Sequence, residues 1–257
     1  SQENNQVAPQ QEAPKKSKPK FKFPTEMVDL PSRGLIYPKD NPLSSGKVEM
    51  KYMTAKEEDI LTNQSYIRKG TVLDKLLKSL IIDKKINIDD LIVGDKNALL
   101  IASRILGYGK EYKFEYNGYQ ETVDLSDLEN KEINEGDLNS KNEFSYEFEN
   151  GTKITYKLLT GADEKKIQRE LDGYKKINPD SEPTLTTRLK HVITSVNGDE
   201  EKKTIREFVD NYLLARDSRK FRDHINTTQP DVDLNVTTRG GREVSIPIGL
   251  SFFWPDI

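Results

Sequence analysis

Two stretches of this chain have residue types and spacing that could hold a ligand. Gly107-Tyr108-Gly109-Lys110-Glu111-Tyr112 begins like a dinucleotide fingerprint, whose glycines let the backbone approach a pyrophosphate seated on a helix N-terminus. The last glycine is missing. The segment also follows a helical pattern and precedes a strand, the reverse of what phosphate binding requires. Asp231-Val232-Asp233-Leu234-Asn235 opens like a calcium loop, with oxygen donors at alternate positions. Val236 then holds the glycine position and Arg242 the position of the bidentate glutamate, so no calcium site is expected. There is no P-loop. The chain has two histidines and no cysteine, which excludes disulfides and thiolate metal sites. His191 lies off the Leu189/Val192/Ile193 stripe, and His224 sits in a charged turn beside Asp223. Both read as surface residues. No serine stands in a nucleophile elbow, and no carboxylate pair has an apolar setting that would shift its pKa. No catalytic, cofactor-binding or metal-binding residue is expected, and the chain reads as non-enzymatic.

The remaining chemistry is that of contact. Arg216, Asp217, Arg219, Arg222 and Asp223 crowd opposite charges into one segment. They can pair within a helix, or the arginine forks can face a partner protein. Phe252, Phe253 and Trp254 form an aromatic cluster that either folds back as core or anchors a neighbouring subunit. Leu35, Ile36 and Tyr37 lie among Pro31, Gly34, Pro38 and Pro42. That composition predicts an extended arm, richer in apolar side chains than a disordered linker, that closes the protein's own core or docks on a partner.

Several elements must position these groups. Thr54 with Glu57 is a capping box that opens a helix over 54–62. Val72, Leu73, Leu76, Leu77, Leu80 and Ile81 predict a helix over 71–83, and Leu99, Leu100, Ala102, Ile105 and Leu106 one over 95–106, stopped by Gly107. Three hairpins follow from turn signals: Asn117-Gly118, Asn150-Gly151 and Arg239-Gly240-Gly241. Between and after them come helices over 163–176 and 184–196, a helix opened by a Thr204/Glu207 capping box with Ile205, Phe208, Val209, Tyr212 and Leu213 on its apolar face, and a short one over 217–225. The fold class is α+β.

Composition sets outer bounds. The chain of 257 residues carries a formal net charge of −3, which gives no support for nucleic-acid binding. It has no apolar run of membrane-spanning length. Residues 1–22 have the Gln/Asn/Pro/Lys composition of a flexible polar and basic tail. Residues 23–53 read as the arm and a first strand, and 54–257 as one interwoven α+β domain.

Five stretches carry a resemblance. They are Leu30-Pro31-Ser32-Arg33-Gly34-Leu35-Ile36-Tyr37-Pro38, the run from Lys51 to Leu61, Lys69 to Leu77, Leu91-Ile92-Val93-Gly94-Asp95-Lys96-Asn97 through Gly107-Tyr108-Gly109, and the end, from Ala215-Arg216-Asp217-Ser218-Arg219 to Ser251-Phe252-Phe253-Trp254-Pro255. In this order they resemble the baseplate hub protein family of T-even-type contractile-tailed bacteriophages. The resemblance implies a non-enzymatic tail protein acting in the baseplate hub. Other hub and tail proteins, including the tape-measure protein, are its implied partners, and self-association is compatible with it. It implies residence in the host cytoplasm during assembly and then in the virion baseplate. A tail-assembly chaperone that never enters the virion is the alternative, and a carboxylate hydrolase a third reading that the residues do not favour. Many family members carry Cys-x-x-Cys-type pairs in the loops corresponding to Asn117-Gly118 and Arg239-Gly240-Gly241. Both loops lack cysteine here, so zinc is not expected. The shared site in relatives implies that the first and third hairpins lie side by side.

Overall fold

The computed structural model describes residues 24–254, so the tail expected over 1–22 lies outside the described residues. The chain is α+β, with helices and several small antiparallel sheets. The segment read as an extended arm is a hairpin. Strand β1 (Thr25–Asp29) pairs antiparallel with β2 (Lys47–Lys51), Thr25 opposite Lys51 and Asp29 opposite Lys47. The prolines all fall in the connecting loop, where they cost no ladder hydrogen bonds. That loop is closed by glycine. A Cβ on Gly34 would lie 2.5 Å from the Ser44 carbonyl oxygen, and one on Gly46 2.5 Å from that of Arg33. Only residues without side chains let the two limbs touch. Leu30, Ile36, Tyr37 and Leu43 consequently turn into the core.

Four helices follow. Helix α1 (Ala55–Leu61) starts at the expected Thr54/Glu57 box. Helix α2 (Gln64–Lys69) has too short an apolar pattern to be read from sequence, but Asn63 caps its start and Gly70 its end. Helix α3 (Val72–Leu80) buries Val72, Leu76, Leu77 and Leu80. Helix α4 (Val93–Tyr108) does not stop at Gly107 as expected: it runs on to Gly109, whose φ of 86° ends it. Gly107 instead makes room for Met53, whose side chain lies 3.0 Å from where a Cβ would stand.

The hairpin β3 (Glu111–Tyr116) and β4 (Tyr119–Asp124) turns through Asn117 and Gly118, both at positive φ, as a two-residue type I′ loop requires. Strands β5 (Phe144–Glu147) and β6 (Lys153–Tyr156) turn differently from expectation. Phe148 N–H donates to Thr152 O at 2.9 Å and Gly151 N–H to Phe148 O at 2.8 Å, a three-residue loop with only its glycine left-handed. Helix α5 (Gly161–Ile177) opens with a second capping box, Thr160 and Asp163. The helix expected over 184–196 divides. Helix α6 covers Thr184–Val192, and Ile193–Val196 becomes β7, the third strand beside β6. β-Branched Ile193, Thr194 and Val196 favour that pairing. Asn197-Gly198 is therefore the turn after a strand, with φ values of 49° and 84°.

Helix α7 (Lys202–Glu207) starts after Glu201, so Thr204 lies within it and the expected Thr204/Glu207 capping box does not form: the Thr204 hydroxyl donates to the Asp199 carboxylate at 2.7 Å. Phe208–Tyr212 continues as a π-helical turn closed by Leu213 N–H to Phe208 O at 2.9 Å. Helix α8 (Ala215–Thr228) is longer than expected at both ends. Strands β8 (Asn235–Thr237) and β9 (Glu243–Ser245) and a short helix α9 (Leu250–Phe253) complete the described chain. Among the described residues there are thus four antiparallel pairings built by hairpins, not three. Two apolar cores result. One gathers the loop, α1, α3, α4 and α9; the other lies between the β5–β7 sheet and α5 to α8, and Phe144 and Ile225 pack on both.

Candidate protein-contact surface

The loop between β1 and β2 is bolted to α4 through one side chain. Asp95 is the third residue of α4 and wholly buried. Its carboxylate accepts from Ser32 N–H at 2.9 Å, from the Ser32 hydroxyl at 2.6 Å and from the Tyr37 hydroxyl at 2.6 Å. Tyr37 Oη in turn accepts from Ile92 N–H at 3.1 Å. Burial pushes the Asp95 carboxyl above the usual range, against the hydrogen bonds from Ser32 and Tyr37 that favour its charged form. Asp231, which accepts from Asn97 Nδ2 at 3.2 Å, is raised by burial as well. Gly94 brings the two together, because a Cβ there would sit 1.9 Å from the Pro230 carbonyl oxygen. Sequence reading found no carboxylate pair in an apolar setting and did not single out Asp95, which sits where a helix start ordinarily faces water. The Asp95 oxygens are used up in holding Ser32 and Tyr37, an arrangement suited to fixing a loop.

This geometry sorts the sequence-derived contact residues. Ile36 and Tyr37 are interior and serve the protein's own core, whereas Leu35, between Gly34 and Ile36, is 39% exposed. Next to it Arg33 holds a left-handed φ of 54° and ion-pairs with Glu135. Phe252 and Phe253 are also buried, the Phe252 ring tilted against Tyr112 with centroids 4.9 Å apart, and Trp254 is half-buried. The aromatic cluster folds back.

Arg216, Arg219 and Arg222 remain exposed on α8. Arg216 pairs with neighbouring Asp217 at 3.6 Å, and Arg222 Nε reaches only the Ser218 carbonyl at 3.4 Å. Among the described residues Arg219 has no ion-pair partner. Directly before them stand two apolar side chains that sequence reading missed. Tyr212 is 65% exposed and Leu214 53%. Tyr212 was expected on the buried stripe with Ile205, Phe208 and Val209; the π turn breaks the 3.6-residue spacing on which that expectation rested. Tyrosine and arginine are residue types favoured at protein interfaces, and Leu214 adds apolar surface beside them. Between α6, α8 and the start of α4 runs a groove of about 270 Å³ lined by Val93, Leu185, Arg188, Leu189, Arg222 and Ile225.

The histidines are more enclosed than expected. His191 Nε2 lies 2.9 Å from the Glu170 carboxylate, and His224 Nε2 3.2 Å from Tyr156 Oη, both half-buried. Among the described residues no group of three or more His, Cys, Asp or Glu is placed to hold a metal ion. Among them, too, no helix is long and apolar enough to cross a membrane. Comparison of the chain with protein-family models, with curated proteins and with solved structures finds no match.

Proposed function

We propose that this chain is a non-enzymatic bacteriophage tail protein that acts in baseplate hub structure and assembly through protein–protein contacts. Its partners are other hub and tail proteins, the tape-measure protein among them, and it passes from the host cytoplasm into the virion baseplate. The resemblance of residues 29–255 to that family motivates the reading. The observation that carries it is the exposed patch of Tyr212, Leu214, Arg216 and Arg219, a composition suited to binding protein. We further infer that the β3–β4 and β8–β9 hairpins, the first and third of those expected from turn signals, form a paired unit and make 54–257 one interwoven domain. In support, Arg239 N–H donates to the Glu121 carboxylate at 3.3 Å, joining the turn after β8 to strand β4.

Co-expression with neighbouring tail proteins, followed by affinity capture, tests the reading. Capture of a hub or tail protein, and recovery of the chain from washed virions by mass spectrometry, is the expected result. Absence of any tail partner together with normal tails after gene deletion overturns it. Capture of an unassembled tail protein without recovery from virions identifies an assembly chaperone instead.

A further inference from the structure

Charge is unevenly distributed along this chain. Residues 111–150 carry twelve acidic against three basic side chains, a formal charge of −9 in a chain whose total is −3. Some of these acids are matched within the molecule: Asp124 by Lys110, Glu135 by Arg33 and Glu149 by Lys220. Asp127, Glu129 and Glu132, on the connection after β4, are exposed, and among the described residues none of them has an ion-pair partner. The opposite condition holds at the start of α8. There Arg216 and Arg219 stand in the first two turns of the helix, where the macrodipole disfavours cations, and Asp217 and the Glu149 carboxylate held by Lys220 offset them only in part. Tyr212 and Leu214 add exposed apolar surface beside these charges. No ion pair joins the two patches within the described part of one molecule.

We propose that the Tyr212–Arg219 surface of one molecule docks on the acidic connection 125–133 of a second copy. Opposite charges that stay apart within one chain are free to meet between two. The contact either repeats reciprocally about a twofold axis in a dimer or runs head-to-tail into a ring or filament. The arginines supply steering and register, and Tyr212 and Leu214 supply the buried apolar anchor. The contact stands on charge and exposure, whether or not the hub reading does.

Sedimentation velocity of the full chain over a range of concentrations tests this. The wild-type protein should associate as concentration rises, and less so as salt is raised. Arg216→Glu with Arg219→Glu, and separately Asp127→Lys with Glu129→Lys, should each weaken association about tenfold or more. Mixing the two charge-reversed proteins should restore it, because each supplies what the other has lost. All four positions are exposed, so circular dichroism should match wild type. Tyr212→Ser with Leu214→Ser should weaken association at high salt as well as low. A wild-type chain that stays monomeric overturns the proposal. So does association unchanged by either reversal, or a mixture of the reversed proteins that fails to associate.

Discussion

Glu57 and Asp95 are the same chemical group in nearly the same place, yet the protein treats them oppositely. Each is the third residue of a helix, and each has 0% of its surface exposed. Glu57 accepts from Thr54 N–H and hydroxyl at 2.8 and 2.7 Å and from Ser79 Oγ at 2.7 Å, and Lys51 Nζ lies 2.7 Å away. Burial works to raise its pKa, but the bonds from Lys51, Ser79 and Thr54 outweigh it and hold the carboxyl at about 2. Asp95 has comparable hydroxyl and amide donors but no lysine, and burial wins. Asp163, at the same position of α5, has Lys157 at 2.7 Å and its pKa falls, although burial raises it. Three helix starts thus teach one rule. A neighbouring lysine accompanies the two lowered carboxyls, whereas at Asp95 hydroxyl and amide donors alone do not offset burial.

The comparison can be broken most severely at the loop. Deleting residues 30–45 removes Leu30, Ile36, Tyr37 and Leu43 from the core. At about 1.5–3 kcal/mol for each buried side chain, the loss rivals the whole stability of an ordinary domain. The truncated chain should not fold, and circular dichroism with a urea titration reads this directly. The sequence alone left open whether the segment closes the core or docks on a partner. A stable, well-folded truncation would favour docking.

Single substitutions sharpen the contrast. Glu57→Ala breaks the ion pair with Lys51, whose side chain is only 17% exposed, and takes the acceptor from the Thr54 and Ser79 hydroxyls, and should cost about 3–5 kcal/mol. Asp95→Asn keeps the shape and part of the acceptor capacity, and should cost about 1–3 kcal/mol. Equal costs by denaturant unfolding would mean that the lysine is immaterial.

The smallest effect is the pH dependence, whose signs should be opposite. Glu57 has a folded pKa below its ordinary 4.5. Its contribution is complete above that value and is lost as pH falls toward about 2. Asp95 has a folded pKa above its ordinary 3.8. Its contribution is complete below that value and is lost as pH rises through the folded pKa. Thermal melts from pH 3 to 7 should therefore show the gap between wild type and Glu57→Gln widening with pH, and that between wild type and Asp95→Asn narrowing. Parallel trends would refute the assignment of Asp95.

Local signals in the sequence were legible where a short rule governs them. The Thr54/Glu57 box, the α3 stripe and the Asn117-Gly118 turn all follow from neighbours within four residues. What escaped reading depends on residues far apart. β1 is recognisable only through β2, about twenty residues on. Ile193–Val196 leaves its helix only because β6 is there to pair with it. The role of Asp95 needs Ser32 and Tyr37, about sixty positions earlier. Among the contact residues, the α8 arginines were legible from charge alone. Tyr212 was not, because helical periodicity presumes that every turn holds the same number of residues.

That presumption fails at Phe208–Tyr212. In an α-helix each residue advances the chain by roughly 100°, and a π turn lodges about one residue more than an α turn before the backbone hydrogen bond closes. The outward direction of Tyr212 is consequently a matter of counting, set by the length of the turn and not by the polarity of any side chain in it. A one-residue insertion or deletion between Ile205 and Leu213 would re-aim the surface wholesale, while many substitutions there would leave it in place. Drift in length, more than drift in composition, is what this face is least able to absorb.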